Sequence, residues 1–275
     1  MRGKIRHTIK TVAGCGLLML FTACNGLFDD IYDTPTPMPE EQNGEINHHV
    51  DSTAEVKSYS VELYVDASSW TQWHYLDLHA LRDSLEKGKT LQSAFTTFDI
   101  PLDQTAAFDA DGTGIYTYWY DVFGEGISKR EFREKYPTAV QPAPDHWDLA
   151  FHRNNVRTNG GSAAETELTD ISKVGSHSDY ATLPFATDEW DESNVWTVQA
   201  RMLQGLVGNQ RIRINPTLAR MLRLDIPPMP PAFTHNNHVF IVRFADDTYA
   251  AVRLKNYLDA ENVKCKLTIE CKYPI

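Results

Sequence analysis

The chain has 275 residues, of which 42% are hydrophobic, so it can bury one large core or two small ones. It contains 37 acidic and 26 basic residues, which gives a formal net charge of −11. Because nucleic acids are bound by basic surfaces that neutralise phosphate groups, this charge argues against a nucleic-acid-binding protein.

Residues 1–23 have the features of a lipoprotein signal peptide. Four basic residues precede an apolar run at 12–21, and Thr22 and Ala23 stand directly before Cys24. Cys24 is therefore predicted to become the lipidated first residue of the mature protein. The apolar run is shorter than the roughly 20 residues of a membrane-spanning helix. Loss of the four basic residues from 26 leaves 22 against 37 acidic residues, a net charge of −15, so membrane attachment is expected to depend on the acyl chains.

Residues 24–55 are acidic and rich in proline, with three prolines at 34–39. This composition predicts an extended tether without a core of its own. His48 and His49 could bind a metal, but we interpret them as solvated linker residues.

A β domain is predicted to begin at about residue 56. Val61, Leu63 and Val65 alternate with polar neighbours and predict a first strand, and residues 73–80 predict a second strand. The next residues, 81–91, are more typical of a helix.

Residues 85–145 contain three local signals. The loop at 109–114 has an aspartate spacing that faintly resembles calcium ligands, but it lacks the full calcium-loop pattern and is interpreted as a turn. The run at 115–123 is so aromatic that it must cover a surface or line a groove. Ser128 and Glu131 match a capping box and predict a short helix at 128–136.

The most distinctive stretch lies at 147–161. Its first half alternates, with Trp147, Leu149 and Phe151 on one face, as in a half-buried strand. A dense row of arginine and asparagine side chains follows, and residues 158–161, Thr-Asn-Gly-Gly, are typical of a turn. The pattern predicts a strand that ends in a rigid polar corner.

Several elements are predicted after this corner. Residues 183–185 can hold a polar segment against the core, and strands are predicted at 195–202 and 210–214. Asn215 before Pro216 predicts the start of a short helix. Four prolines at 226–231 exclude a ladder strand and predict a stiff extended loop.

The C-terminal part predicts a hairpin of residues 239–244 and 249–257, followed by a long amphipathic strand at 264–273. Cys265 and Cys271 lie six positions apart on that strand, which is about 20 Å and too far for a disulfide bond. Both are interpreted as small core-facing residues. The predicted fold class is thus all-β, mainly antiparallel, with a few short helices.

These motifs, in this order, resemble the HmuY family, the haem-binding surface lipoproteins of Bacteroidetes-type bacteria. The resemblance rests on residues 147–153 with 157–161, on 65–70, and on 239–243. It covers about residues 56–84 and 145–275, which leaves 85–145 as an aromatic-rich insertion within a domain at 56–275. The resemblance implies an HmuY-like β fold and a haemophore for iron acquisition. Such a protein passes haem to a TonB-dependent outer-membrane receptor and is anchored at the cell surface through its lipid or released from it.

The resemblance also implies two axial ligands to the haem iron, which are histidines in some family members and methionines in others. At the corresponding places this sequence offers Met202 and Met229, so these are the predicted ligands. Met221 is a reserve candidate, although its spacing from neighbouring leucines is typical of core. His235 and His238 could replace a methionine, but an exposed polar turn is the preferred interpretation.

Other residues could complete a haem site. The aromatic cluster at 116–120 is a possible wall, and Trp190, Trp196 and Phe233 could pack on a porphyrin or on one another. His152 is expected to have a structural role. Donors for the haem propionates are available from five arginines, namely Arg153, Arg157, Arg211, Arg213 and Arg220.

Two other functions stay open from the sequence. The same scaffold could carry another tetrapyrrole, a glycan or a protein. A surface enzyme is also conceivable, but the chain lacks the sequence motifs of serine hydrolases, phosphate-binding loops, dinucleotide-binding folds and zinc proteases. A binding protein rather than an enzyme is therefore predicted.

Overall fold

The computed structural model describes residues 44–51, 57–69, 72–89, 94–99, 116–121, 132–137, 142–191, 206–210, 212–225 and 232–275. Its strands are β1 (Gly44–Asp51), β2 (Ser58–Asp66), β3 (Gln72–Leu76), β4 (Phe95–Asp99), β5 (Tyr116–Asp121), β6 (Phe132–Pro137), β7 (Leu149–His152), β8 (Asn155–Thr158), β9 (Ser162–Glu165), β10 (Ala186–Thr187), β11 (Glu189–Asp191), β12 (Leu206–Gln210), β13 (Ile212–Ile214), β14 (Leu222–Asp225), β15 (Ala232–His235), β16 (Phe240–Arg243), β17 (Tyr249–Leu258) and β18 (Lys264–Tyr273). The helices are α1 (Leu78–Glu86) and three 3-10 helices, η1 (Ile171–Lys173), η2 (His177–Tyr180) and η3 (Leu218–Met221).

Two antiparallel sheets form the scaffold. The main sheet has seven strands in the order β1-β2-β18-β17-β16-β9-β10, and the small sheet has four in the order β4-β3-β7-β8. Shorter sheets pair β12-β5-β6, β11-β13 and β14-β15. This architecture confirms the predicted all-β fold class.

The two larger sheets share one hydrophobic core. Leu63, Phe240 and Val252 of the main sheet and Leu149 and Phe151 of the small sheet are at most 1% exposed and belong to one cluster. Since each strand sends alternate side chains to opposite faces, the inner faces of both sheets are apolar and pack against each other.

The long amphipathic strand is confirmed as β18, between β2 and β17. Its apolar residues lie opposite apolar residues of β2, as in the pairs Ile269 with Leu63 and Cys271 with Val61. Cys265 and Cys271 are both buried and free, which confirms them as unpaired core residues. The predicted hairpin before this strand is also confirmed, because β16 pairs with β17.

The outer face of the main sheet is covered by the polar segment after β9. Leu183 and Phe185 pack on a second cluster that contains Val239, Ile241 and Ala251. The predicted attachment of residues 183–185 to the core is therefore present.

The structure differs from the sequence prediction in the segment assigned to the tether. Gly44–Asp51, which is part of residues 24–55, forms β1 and pairs with β2, with a register shift between Glu45 and Asn47. His48 and His49 thus lie in an edge strand of the main sheet and not in a solvated linker. The edge of β2 presents unpaired backbone groups, and β1 satisfies them, which is a long-range effect that composition does not encode.

Two helix predictions are corrected. Residues 132–137 form β6, which pairs with β5, although the sequence predicts a helix at 128–136. Pairing with a neighbouring strand here outweighs the local capping signal. The helix α1 begins at Leu78, inside the predicted strand 73–80, because the Asp77 side chain accepts a hydrogen bond from Ala80 N at 2.8 Å.

Among the described residues, no helix combines the length and apolar character that crossing a membrane requires. Cys24 and the predicted signal peptide lie outside the described residues.

Candidate functional site

Two short two-stranded sheets, here called ribbons, are adjacent in the chain to the segments that contain the predicted haem ligands. Ribbon 1 consists of β11 and β13, and residues 192–205, which include Met202, follow β11 in the chain. Ribbon 2 consists of β14 and β15, paired as far as Asp225 and Ala232, and residues 226–231 with Met229 connect its two strands. Met202 and Met229 themselves lie outside the described residues, so their assignment as ligands stays a prediction.

Ribbon 1 starts and ends at one hydrogen-bonded junction, the Asp188 junction, which consists of Thr158, Asp188 and Asn215. Asp188 directly precedes β11 and accepts from Thr158 N at 2.8 Å and Thr158 Oγ1 at 2.9 Å. Asn215 directly follows β13 and donates from Nδ2 to Asp188 at 3.1 Å and to Ala186 O at 2.9 Å. Burial raises the pKa of Asp188, although these hydrogen bonds oppose the rise. A partly buried carboxylate with three donors fixes the base of the ribbon firmly.

Ribbon 2 begins from the same junction through η3. Asn215 Oδ1 accepts from Thr217 N and Leu218 N, each at 3.1 Å, so Asn215 closes the turn that leads into the predicted short helix, which begins at Leu218 and not at Pro216. Leu218 and Met221 of η3 are buried in the main core, at 0% and 3% exposure. The reserve ligand Met221 therefore has a packing role. Ribbon 2 follows at the next residue, so both ribbons are attached to one rigid segment.

The two histidines near ribbon 2 are engaged in local contacts. His235 Nε2 lies 2.9 Å from Leu254 O. His238 Nδ1 lies 2.9 Å from the Glu165 carboxylate, which also accepts from Asn236 Nδ2 at 2.7 Å. These contacts attach the base of ribbon 2 to the main sheet through one nitrogen of each ring.

Aromatic side chains stand on both ribbons. Trp190 on ribbon 1 is 39% exposed, and the Arg213 guanidinium carbon lies 5.3 Å from its ring centroid. Phe233 on ribbon 2 stacks on Tyr257 at a centroid distance of 6.0 Å. An exposed tryptophan at such a position can cover a flat apolar ligand. Trp196 lies outside the described residues.

The aromatic insertion is joined to this region by strand pairing. Its strand β5 pairs with β6 on one side and with β12 on the other, from Asp121 opposite Leu206 to Thr117 opposite Gln210. Because β12 directly follows residues 192–205, the insertion pairs with the strand that comes next after the segment containing Met202. A role of residues 116–120 as a wall of the site stays a prediction.

The polar residues of the 147–161 motif are structural in several places. Asp148 accepts from Leu78 N at 2.6 Å and from His79 Nδ1 at 3.0 Å, while His79 Nε2 lies 3.0 Å from Asp246. His152 is 1% exposed, with Nδ1 2.8 Å from Gln72 O, and burial lowers its pKa to about 3. It is thus a neutral, buried residue, as expected.

Asp77, His79 and Asp148 are the one group of potential metal ligands within the described part of the chain, with one ligand atom each inside 4.8 Å. Both ring nitrogens of His79 already face carboxylates, and Asp77 caps α1. These contacts account for the group as an ion-paired helix cap without a metal ion.

The arginines available for haem propionates have different surroundings. Arg220 pairs with Glu165 at 3.2 Å, and Arg153 donates to Ser68 O. Arg213 stacks on Trp190, whereas Arg157 is enclosed by aromatic rings and donates to Tyr75 Oη. Arg211 lies outside the described residues.

Comparison with known proteins decides the family. A family model described as HmuY protein matches residues 69–271, which is most of the chain. The chain belongs to the HmuY family. No curated protein sequence matches it.

Several solved structures share the fold of this chain. A structure named as a lipoprotein from Bacteroides fragilis NCTC 9343 is 26% identical, with a TM-score of 0.57 over 87% of this chain and 99% of that chain. A structure named as an HmuY-like heme binding protein from Bacteroides vulgatus ATCC 8482 is 25% identical, with a TM-score of 0.55 over 85% and 99%. The apo HmuY analog of Tannerella forsythia, at 18% identity and a TM-score of 0.55 over 79% and 97%, shares the fold.

Within this HmuY fold, the sequence did not reveal the roles of two residues, Asp188 at the base of the ribbons and His79 at the cap of α1. Asp188 joins β8 to both ribbons, yet it lies in a polar segment with no periodic pattern. His79 was included in a predicted strand, and its role emerges only because Asp148 and Asp246 lie far away in the sequence.

Proposed function

We propose that this HmuY-family protein binds haem between its two ribbons, with Met202 and Met229 as axial ligands of the iron. The observation that carries the proposal is the shared base of the ribbons. Both methionine-bearing segments extend from strands that are fixed to one buried junction, so two side chains can approach a flat ligand from separate segments. The relative from Bacteroides vulgatus, named as a heme binding protein, supports the choice of ligand.

Two thioether ligands would determine the redox preference of the bound iron. Methionine sulfur is neutral and soft, so it favours reduced iron over oxidised iron. The prolines at 226–231 restrict the backbone around Met229, which lowers the entropic cost of placing a flexible side chain. The protein is expected to hold ferrous haem more tightly than ferric haem.

The test is a haemin titration of the protein from residue 30 onward, which retains every described residue. A saturable one-to-one Soret shift that sharpens after reduction with dithionite is expected. Met202→Ala and Met229→Ala should each weaken binding about tenfold or more, which is about 1.4 kcal/mol or more. Met221→Leu is the matched control, since Met221 is a core residue, and it should bind like the wild type. Unchanged affinity of the double alanine variant would rule out the ligand assignment.

A featureless, non-saturating titration would instead indicate that the scaffold carries another ligand. In that case the aromatic insertion around β5 is the place to search, with other tetrapyrroles, glycans and proteins as probes.

We further propose that the protein is anchored by lipid on Cys24 at the outer surface of the cell and transfers haem to a TonB-dependent receptor. The lipoprotein signal and the family support this location. Cys24→Ser should move the protein from the membrane fraction to the soluble fraction. Deletion of the gene should reduce growth when haem is the sole iron source, and normal growth of the deletion strain would contradict the transfer role.

A further inference from the structure

The outer face of the small sheet carries three buried N–H donors that lack an acceptor within the described part of the chain. They are Trp73 Nε1, Asn155 Nδ2 and Arg157 Nε. We call these three residues the Arg157 face. Each buried donor without an acceptor costs about 1–3 kcal/mol, so three neighbouring ones require an explanation.

The strand register brings the three donors together. Arg157 lies opposite Ala150, and Asn155 opposite His152, so both point to the outer face two residues apart, which is about 6.6 Å along β8. Trp73 stands beside His152, with ring centroids 5.2 Å apart. The Arg157 guanidinium carbon lies 4.4 Å from the Trp73 ring centroid. The donors therefore surround one small region of the sheet.

The Arg157 guanidinium gives this region a positive charge, and its hydrogen bond to Tyr75 goes to a neutral hydroxyl group. The Arg157 guanidinium carbon lies 5.4 Å from the Tyr75 ring centroid and 5.3 Å from that of Trp147, and the group donates one hydrogen bond, to Tyr75 Oη. Burial lowers the pKa of Arg157, which reflects the cost of holding the charge away from water. Aromatic faces offset part of that cost, but they do not accept the hydrogen bonds of a guanidinium.

No carboxylate of the described residues is hydrogen-bonded to Arg157. Asp188 is close enough to act on its charge, but the Asp188 oxygens accept from Thr158 and Asn215. Arg220, in contrast, pairs with Glu165, and Arg213 stands on exposed ribbon 1. Arg157 is thus a half-buried cation that an external anion would complete.

We propose that the Arg157 face binds a carboxylate, and that this carboxylate is a propionate of the haem cargo. The inference rests on the proposed haem-binding function and adds an anion subsite to it. Its position supports this ligand, because Thr158, the next residue of β8, is hydrogen-bonded to Asp188 at the start of ribbon 1. The Asp188 junction thus joins the Arg157 face to the base of ribbon 1, and the two oxygens of a propionate match a guanidinium and adjacent N–H donors.

The test compares haemin with haemin dimethyl ester, which has the same ring and iron but no ionisable carboxylate. Wild-type protein from residue 30 onward should bind haemin about tenfold more tightly than the diester, equivalent to about 1.4 kcal/mol. Arg157→Gln should bind both compounds equally, and its folding is checked by circular dichroism. Trp73→Phe keeps an aromatic ring at this position but removes the Nε1 donor with the pyrrole part of the indole, and it should reduce the preference by a smaller factor. Arg213→Gln is the matched control and should keep the full preference.

The outcomes separate this inference from the proposed function. Tight binding of both compounds without a preference in the wild type would overturn the propionate subsite and leave haem binding intact. Absence of binding for both compounds would overturn the haem function. In that case, carboxylate binding at the Arg157 face is tested without haem. The melting temperature of the protein is measured in chloride and in acetate at equal ionic strength. A rise in acetate that Arg157→Gln abolishes would support a site for free carboxylates, and identical melting temperatures would overturn the site altogether.

Discussion

Replacement of His79 by glutamine tests the ion-paired cap of α1. The His79 ring lies between Asp148 and Asp246, with each ring nitrogen 3.0 Å from a carboxylate oxygen, so both contacts can be hydrogen bonds only when the ring is protonated. Asp77 and Tyr273 also face this ring, the latter at a centroid distance of 5.0 Å. Loss of the charge should weaken the attachment of α1 to the turn between β16 and β17.

The magnitude follows from the burial of the two partners. The Asp148 side chain is 11% exposed, and a hydrogen bond to a charged group there contributes about 1.5–3 kcal/mol. The Asp246 side chain is 54% exposed, so that pair adds only about 0.5 kcal/mol. His79→Gln, which keeps one donor, is therefore expected to lower the free energy of unfolding by about 2 kcal/mol at pH 6.

The pH dependence has a defined sign. Burial alone would lower the pKa of His79, but the hydrogen bonds and charges of Asp148 and Asp246 raise it above its usual value of 6.5. The contribution of the protonated ring to stability is therefore complete below pH 6.5 and disappears as the pH rises through the elevated folded-state pKa.

Urea unfolding followed by tryptophan fluorescence at pH 6, 7, 8 and 9 would measure this effect. The difference between wild type and His79→Gln should be largest at pH 6 and shrink at higher pH. His146→Gln is the matched control, because His146 is exposed and lines, together with His79, a cleft of about 270 Å³. This variant should be nearly neutral at all four pH values. A difference that is constant with pH, or below about 0.5 kcal/mol at pH 6, would refute the imidazolium assignment.

Three further predictions concern the scaffold. Leu149→Ala should lower the free energy of unfolding by about 2–5 kcal/mol in the same urea assay, because it opens a cavity at a fully buried site between the sheets. A loss below about 1 kcal/mol would contradict the shared core. Native protein at pH 8 should not react with a thiol reagent, because burial raises the pKa of Cys265 to about 11 and that of Cys271 higher still, and both should react in urea; fast labelling of folded protein would be inconsistent with this burial. Asn215→Ala should lower stability by about 2 kcal/mol and weaken haemin binding, since Asn215 fixes both ribbons; haemin affinity equal to the wild type would show that the junction does not support the site.

The sequence determined the family, the fold class and the strands with a clear alternation. Alternation at 264–273 predicted β18 because a strand with one buried face must repeat every two residues. The C-terminal hairpin and Asn215 at the start of η3 were predictable for the same kind of reason, since turn and cap signals act over a few residues.

Tertiary structure alone decided the elements whose partners are distant in the chain. The strands β1 and β6 form where a neighbouring strand offers unpaired backbone groups, which composition and a local capping box do not reveal. The same holds for the junction of Thr158, Asp188 and Asn215 and for the contact of His79 with two aspartates. The Arg157 face likewise appears only after β3 and β8 are placed in one sheet, because burial of a charge depends on what surrounds it. Periodicity specifies which side of a strand is apolar, whereas the identity of the groups that meet across a sheet depends on the complete fold.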